Sequence, residues 1–188
     1  MRRILIALVV LGVAATIASA ENSIGFYGSM WKPSDLDRVW GGGAKIQMEL
    51  APSVYIEARG TYFPRAKDED DDVDEVKIDI IPIEGLGILK LPVDEAFTPY
   101  AGGGIGYYMF RTAEEPDNVS IEVENKFGFF VVGGFEIGLG EAVKLFAEGK
   151  YTFLDNVTVK AESGGVTAED DDGKLSGFGG NVGMLLLW

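Results

Sequence analysis

Charged residues spaced by even numbers of positions are where this sequence could do chemistry. Lys45 and Glu49 flank Gln47 in this way, Glu57 stands two residues from Arg59, and Glu84 six from Lys90. Glu136, Lys144, Glu148 and Lys150 continue the set further along the chain. Even spacing on an extended backbone puts such residues on one face. Opposite charges crowded on one enclosed face must pair, because an isolated buried charge is very costly. Two outcomes follow from such a set. One is a salt-bridged plug; the other is a gate, in which pairs exchange partners to admit water and ions, with Arg59, Glu57, Glu136 and Glu148 at its centre. Catalysis is not expected. The chain has no histidine, the usual base for an activated serine, and no two carboxylates stand at a recognised acid–base spacing.

A second group of carboxylates is of another kind. Asp68-Glu69-Asp70-Asp71-Asp72 continues to Asp74-Glu75, and Glu169-Asp170-Asp171-Asp172 forms a later run. Contiguous like charge reads as a solvated, self-repelling loop. The alternative is divalent-cation binding at Asp70, Asp71, Asp72, Asp170, Asp171 and Asp172, since hard cations take oxygen ligands. Neither run has the central glycine and terminal glutamate of a calcium loop, so no metal site is assigned. With no cysteine, disulfides and thiolate metal sites are out of reach. No cofactor is expected. A net charge of −14 argues against nucleic acid as a partner.

The elements that carry these residues are extended. Alternation of apolar and polar residues marks eight candidate strands near 23–31, 39–50, 54–63, 75–91, 97–111, 123–139, 142–154 and 174–188. Three joins are brief: Ala51-Pro52-Ser53, Pro92 to Ala96, and Gly140-Glu141. The other joins are longer and polar, above all Pro64–Asp74 and Asp155–Gly173. Ile46, Met48 and Leu50 oppose Lys45, Gln47 and Glu49; Val54, Ile56, Ala58 and Tyr62 oppose Tyr55, Glu57, Arg59 and Thr61. An even number of two-faced strands, with turns short at one end and long at the other, predicts an all-β, eight-stranded antiparallel up-and-down transmembrane barrel. A soluble sandwich or ligand-binding secreted barrel would show the same alternation with its apolar face inward.

Aromatics and glycines favour the membrane. Trp31, Trp40, Tyr62, Phe63, Tyr107, Tyr108, Phe110, Phe127, Phe129, Tyr151 and Phe153 lie near ends that meet long joins, and Tyr55, Phe97, Tyr100 and Trp188 near the short-turn end. Two belts suit rings seated at lipid–water interfaces, with Trp31, Trp40, Tyr62, Tyr107, Tyr151 and Trp188 as the expected girdle. Gly102-Gly103-Gly104 and Gly133-Gly134 lie inside strands, where glycine permits the sharp coiling of a narrow barrel. The fourth segment has Val76, Ile78 and Ile80 in one phase and Ile83, Gly85, Gly87, Leu89 and Leu91 in the other. A bulge near Ile81-Pro82 is expected to reconcile them.

Residues 1–20 read as a cleaved signal peptide: Arg2-Arg3, an apolar run from Ile4 to Ala15, then Ala18-Ser19-Ala20. Its loss takes two positive charges, so the net charge passes from −14 to −16 and residues 21–188 form one domain.

At Pro99-Tyr100-Ala101-Gly102-Gly103-Gly104-Ile105-Gly106-Tyr107-Tyr108 the chain resembles the small outer-membrane barrels related to OmpA, OmpX and OmpW. The ending, in which Met184, Leu186 and Trp188 alternate up to a final aromatic, is similar to the signal read by the outer-membrane assembly machinery, where phenylalanine is the usual last residue. The resemblance implies a monomer in the bacterial outer membrane, exported through the periplasm, with membrane lipid and lipopolysaccharide as partners. It implies a non-enzymatic structural or surface-contact role, or a narrow porin-like channel for small solutes or ions.

Overall fold

The computed structural model describes residues 21–34, 37–66, 77–94, 96–114, 120–123, 125–154, 157–163, 166–173 and 175–188. The expected leader, residues 1–20, and the acidic run from Asp68 to Glu75, with Asp70, Asp71 and Asp72, lie outside the described residues. Among the described residues there are eleven strands: β1 (Ser23–Pro33), β2 (Val39–Ala51), β3 (Val54–Ala66), β4 (Lys77–Lys90), β5 (Phe97–Glu114), β6 (Ser120–Val123), β7 (Lys126–Gly138), β8 (Val143–Leu154), β9 (Val157–Ser163), β10 (Val166–Gly173) and β11 (Gly177–Leu187). Eight of them close into a barrel in the order β1-β11-β8-β7-β5-β4-β3-β2. Every neighbouring pair is antiparallel, and closure between β1 and β11 leaves no open edge.

The short turns behave as their residues require. Ser53 takes a φ of 69° in the β2–β3 turn, and Gly140 a φ of 132° between β7 and β8, where a side chain would be strained. At the opposite end β5, with 18 residues, exceeds the roughly 9–11 needed to cross a bilayer. Beyond it β6, β9 and β10 form a separate three-stranded sheet in the order β10-β9-β6. Sequence patterning assigned that region to loops. The backbone of Asp170, Asp171 and Asp172 belongs to β10, and their side chains lie outside the described set.

Alternation of burial follows the strands closely. Ile46, Met48, Ile56, Ile83, Leu89, Ile105, Phe129, Val131, Leu145 and Met184 face outward and exposed, while the charged partners of these strands are buried inside. The inner wall is narrow because it is rich in glycine. A Cβ on Gly104 would stand 2.0 Å from Gly85 O, and one on Gly183 2.2 Å from Phe26 O. On the outer wall Gly133, Gly149 and Gly180 lie side by side across β7, β8 and β11. They floor a shallow apolar trough of about 560 Å³ bordered by Met30, Trp40, Phe135 and Val182.

Two expectations require correction. No bulge occurs at Ile81-Pro82 itself: β4 stays in register with β5 from Ile78↔Thr112 to Lys90↔Tyr100, and its shifts lie earlier, at Lys77/Ile78 against β5 and opposite Phe63/Ala66 against β3. Ile80, Pro82, Glu84, Leu86, Ile88 and Lys90 all point inward in one phase. The phase looked broken because part of the lumen is itself apolar. Proline still marks the ladder with β3, where partner pairs step from Gly60↔Ile83 to Phe63↔Ile80, opposite a residue with no N–H.

The second correction concerns the girdle. Trp31 is 2% exposed and lies inside the barrel, 5.9 Å from both Phe63 and Tyr108 measured between ring centres. Phe63, Tyr108, Phe110, Tyr55 and Tyr100 are inside as well. Trp40, Tyr62 and Trp188 are exposed on the outer face. Tyr107 packs on Phe127 at 4.8 Å, and Tyr151 on Phe153 and Phe178 at 4.7 and 4.5 Å. Position along a strand predicted belts; parity within the strand decides which ring faces lipid.

Candidate functional site

The lumen is built from alternate residues of all eight barrel strands, and its contents change with height. At the short-turn end Lys90 of β4 pairs with Glu136 of β7 at 2.7 Å and covers the Tyr55 ring at 4.1 Å. Lys144 of β8, half-buried at the rim, lies 3.7 Å from Glu136 and pairs with Glu21. Glu49 is also half-buried at this rim and accepts a backbone N–H from Glu21. Lys90 donates to Gln47 Oε1 at 3.0 Å, and Gln47 donates onward to Glu57 Oε2 at 2.7 Å.

At mid-height the pairs are denser. Arg59 of β3 has its Nε 2.6 Å from Glu57 and 4.0 Å from Glu84, and it pairs with Glu148 across the lumen. Lys45 of β2 lies 3.2 Å from Glu57 and 3.8 Å from Glu148, with its ammonium 3.5 Å over the Phe146 ring. Tyr100 and Asn181 each donate to Glu148 at 2.7 Å. Lys150 pairs with Glu84 at 2.7 Å, and Tyr108 donates to the same oxygen at 2.7 Å. Among the described residues the buried cations Lys45, Arg59, Lys90 and Lys150 are matched by the buried carboxylates Glu57, Glu84, Glu136 and Glu148. The large negative charge of the chain therefore lies outside this set.

Above the ion pairs, toward the long connections, the lumen is apolar. Trp31, Val39, Phe63, Ile80, Tyr108, Phe110, Leu154 and Leu175 form one buried cluster. A sequence reading of the lumen as a set of ion pairs missed this tier. It also missed Tyr100, Tyr108 and Asn181 as members of the network. Parity places Gln47 on the face of Lys45 and Glu49, whereas β5 carries glycine and aromatics on both faces and gives no chemical contrast. Among the described residues no group of three or more acidic side chains is arranged to hold a metal ion.

A closed eight-stranded barrel with an apolar outer wall is an outer-membrane architecture, and comparison with known families agrees. The family described as "Outer membrane protein beta-barrel domain" matches residues 5–184. The chain belongs to this family. Among solved structures, this outer-membrane barrel is similar to OprG from Pseudomonas aeruginosa, with a TM-score of 0.72 at 14% identity over 90% of this chain and 95% of that one. Neisserial surface protein A gives 0.63 at 12% identity, over 89% and 96%. Ail, the attachment invasion locus protein of Yersinia pestis, gives 0.55 at 14% identity, over 90% and 97%. At these identities the likeness is one of fold. No curated protein matches the sequence.

Proposed function

We propose that this outer-membrane barrel is a non-enzymatic envelope protein whose lumen is shut, and which meets its surroundings through its long connections. The observation that carries the reading is the mutual cancellation of the eight buried lumenal charges found among the described residues, beneath a cap of largely apolar side chains. An eight-stranded barrel is only wide enough for its own side chains to fill it. The absence of histidine from the sequence supports a role without acid–base catalysis. The working surface is then the long-loop end, with its acidic runs, facing lipopolysaccharide and the exterior. Export through the periplasm, recognition by the assembly machinery at Met184, Leu186 and Trp188, and a monomeric state complete the proposal.

A second reading has its own observation. Arg59 has three carboxylates within 4.0 Å, so it can change partners without losing a counter-charge, as a gate in a narrow channel would. One experiment separates the two. Refolded protein and Arg59→Ala are placed in planar bilayers. Negligible conductance in both is expected for the shut lumen. Discrete steps in the parent that change in Arg59→Ala would establish the channel instead.

A further inference from the structure

The ion network has an end at the short-turn rim, and there its charges fail to cancel. Glu21 N donates to Glu49 Oε2 at 2.9 Å. The Glu21 carboxylate pairs with Lys144, which leads to Glu136 and Lys90. Gln47 then bridges Lys90 to Glu57, and from there contacts run to Arg59, Glu148, Glu84 and Lys150. The backbone holds this end in place: Trp188 N–H donates to Asn22 O at 3.1 Å, and Ser23 pairs with Leu187. Among the described residues Glu21 and Glu49 bring the connected carboxylates to six, whereas Lys144 brings the cations to five. The missing positive charge is missing beside Glu49. Its partner is a neutral amide for as long as any residue precedes Glu21.

We propose that removal of residues 1–20 supplies this charge, and that the new α-ammonium of Glu21 becomes the ion-pair partner of Glu49. The inference rests on the reading of those residues as a cleaved leader. Peptidase-catalysed hydrolysis adds one water across the Ala20–Glu21 bond, leaving a carboxylate on Ala20 and an amine on Glu21 that takes up a proton at neutral pH. The nitrogen already stands at hydrogen-bond distance, so the contact changes in charge with little change in place. Charge-assisted hydrogen bonds are roughly twice as strong as neutral ones. Six carboxylates then face six cations, and the barrel acquires its last ion pair only once it has been processed.

Two measurements test this separately. The full chain is exported in a Gram-negative host, and the intact mass of the outer-membrane form is read. A chain beginning at Glu21 is expected; any other start overturns the leader reading and the pairing with it. Chains beginning at Glu21 and at Ala20 are then refolded into phosphatidylcholine vesicles, each with and without Glu49→Gln. Glu49→Gln should speed urea unfolding about fivefold in the chain beginning at Glu21 and less than about twofold in the longer one. Equal acceleration in both overturns the pairing. If Glu49→Gln does not refold, Nα-acetylation of the Glu21 chain removes the charge at fixed sequence. It should unfold as fast as the Ala20 form, and unfolding as slow as the free amine overturns the pairing.

Discussion

Arg59 and Glu148 meet across the lumen from β3 and β8, and neither has water to fall back on. Such a pair adds little stability relative to an apolar filling, but its rupture leaves a charge stranded. Glu148→Ala is therefore expected to destabilise the barrel by about 3–5 kcal/mol, read as a shift in urea midpoint in lipid vesicles. Tyr100→Phe removes one 2.7 Å bond to the same carboxylate while Arg59 and Asn181 remain. Its cost should be smaller, about 1–3 kcal/mol. A Tyr100→Phe loss equal to that of Glu148→Ala would mean that the network does not share load in this way. At this scale the sequence was most readable. Lys45, Glu57, Arg59, Glu84, Glu136, Glu148 and Lys150 show their direction through parity, because nothing charged belongs on a lipid-facing wall.

Strands were legible where their two faces differ in chemistry, as in β2, β3, β7 and β8, and ambiguous where they do not. In β4 the inward residues pass from isoleucine through proline and glutamate to lysine, so one continuous face looked like two. β10 was hidden for another reason. Its run of Glu169 to Asp172 is poor in strand formers, and its pairing with β9 comes from neighbouring structure. Glycine divides the strands into tight and open sides in a testable way. A methyl group at Gly104 would sit 2.0 Å from Gly85 O and 2.6 Å from Leu86 Cβ, both fixed atoms, whereas one at Gly85 meets nothing within 4 Å. Gly104→Ala should cost about 1–3 kcal/mol or more, or prevent refolding. Gly85→Ala should be neutral or stabilise by about 0.4–1 kcal/mol through the unfolded chain. Comparable refolding yields and urea midpoints for the two would contradict the inward crowding.

For the molecule as a whole, the outer wall decides its solvent. Phe127, Phe129, Ile105, Ile83 and Val182 are each more than half exposed, far beyond the patch a monomeric soluble protein leaves open. The barrel is expected to stay monodisperse in detergent and to aggregate when detergent is removed, which size-exclusion chromatography would show. A soluble monomer without detergent would refute the membrane assignment. The two tiers of the lumen have a consequence of their own. A hydrated ion entering from the long-loop end first meets a buried cluster of rings and aliphatic chains whose side chains carry just two polar atoms, the Trp31 indole nitrogen and a Tyr108 oxygen already donating to Glu84, a poor exchange for its water shell. An oily solute that slips past those rings next meets guanidinium and carboxylate groups that it would have to pull apart. On the proposed reading of a shut lumen, each class of traveller is stopped by the layer that would have welcomed the other. Replacing one layer alone would therefore admit one class and leave the passage closed to the other.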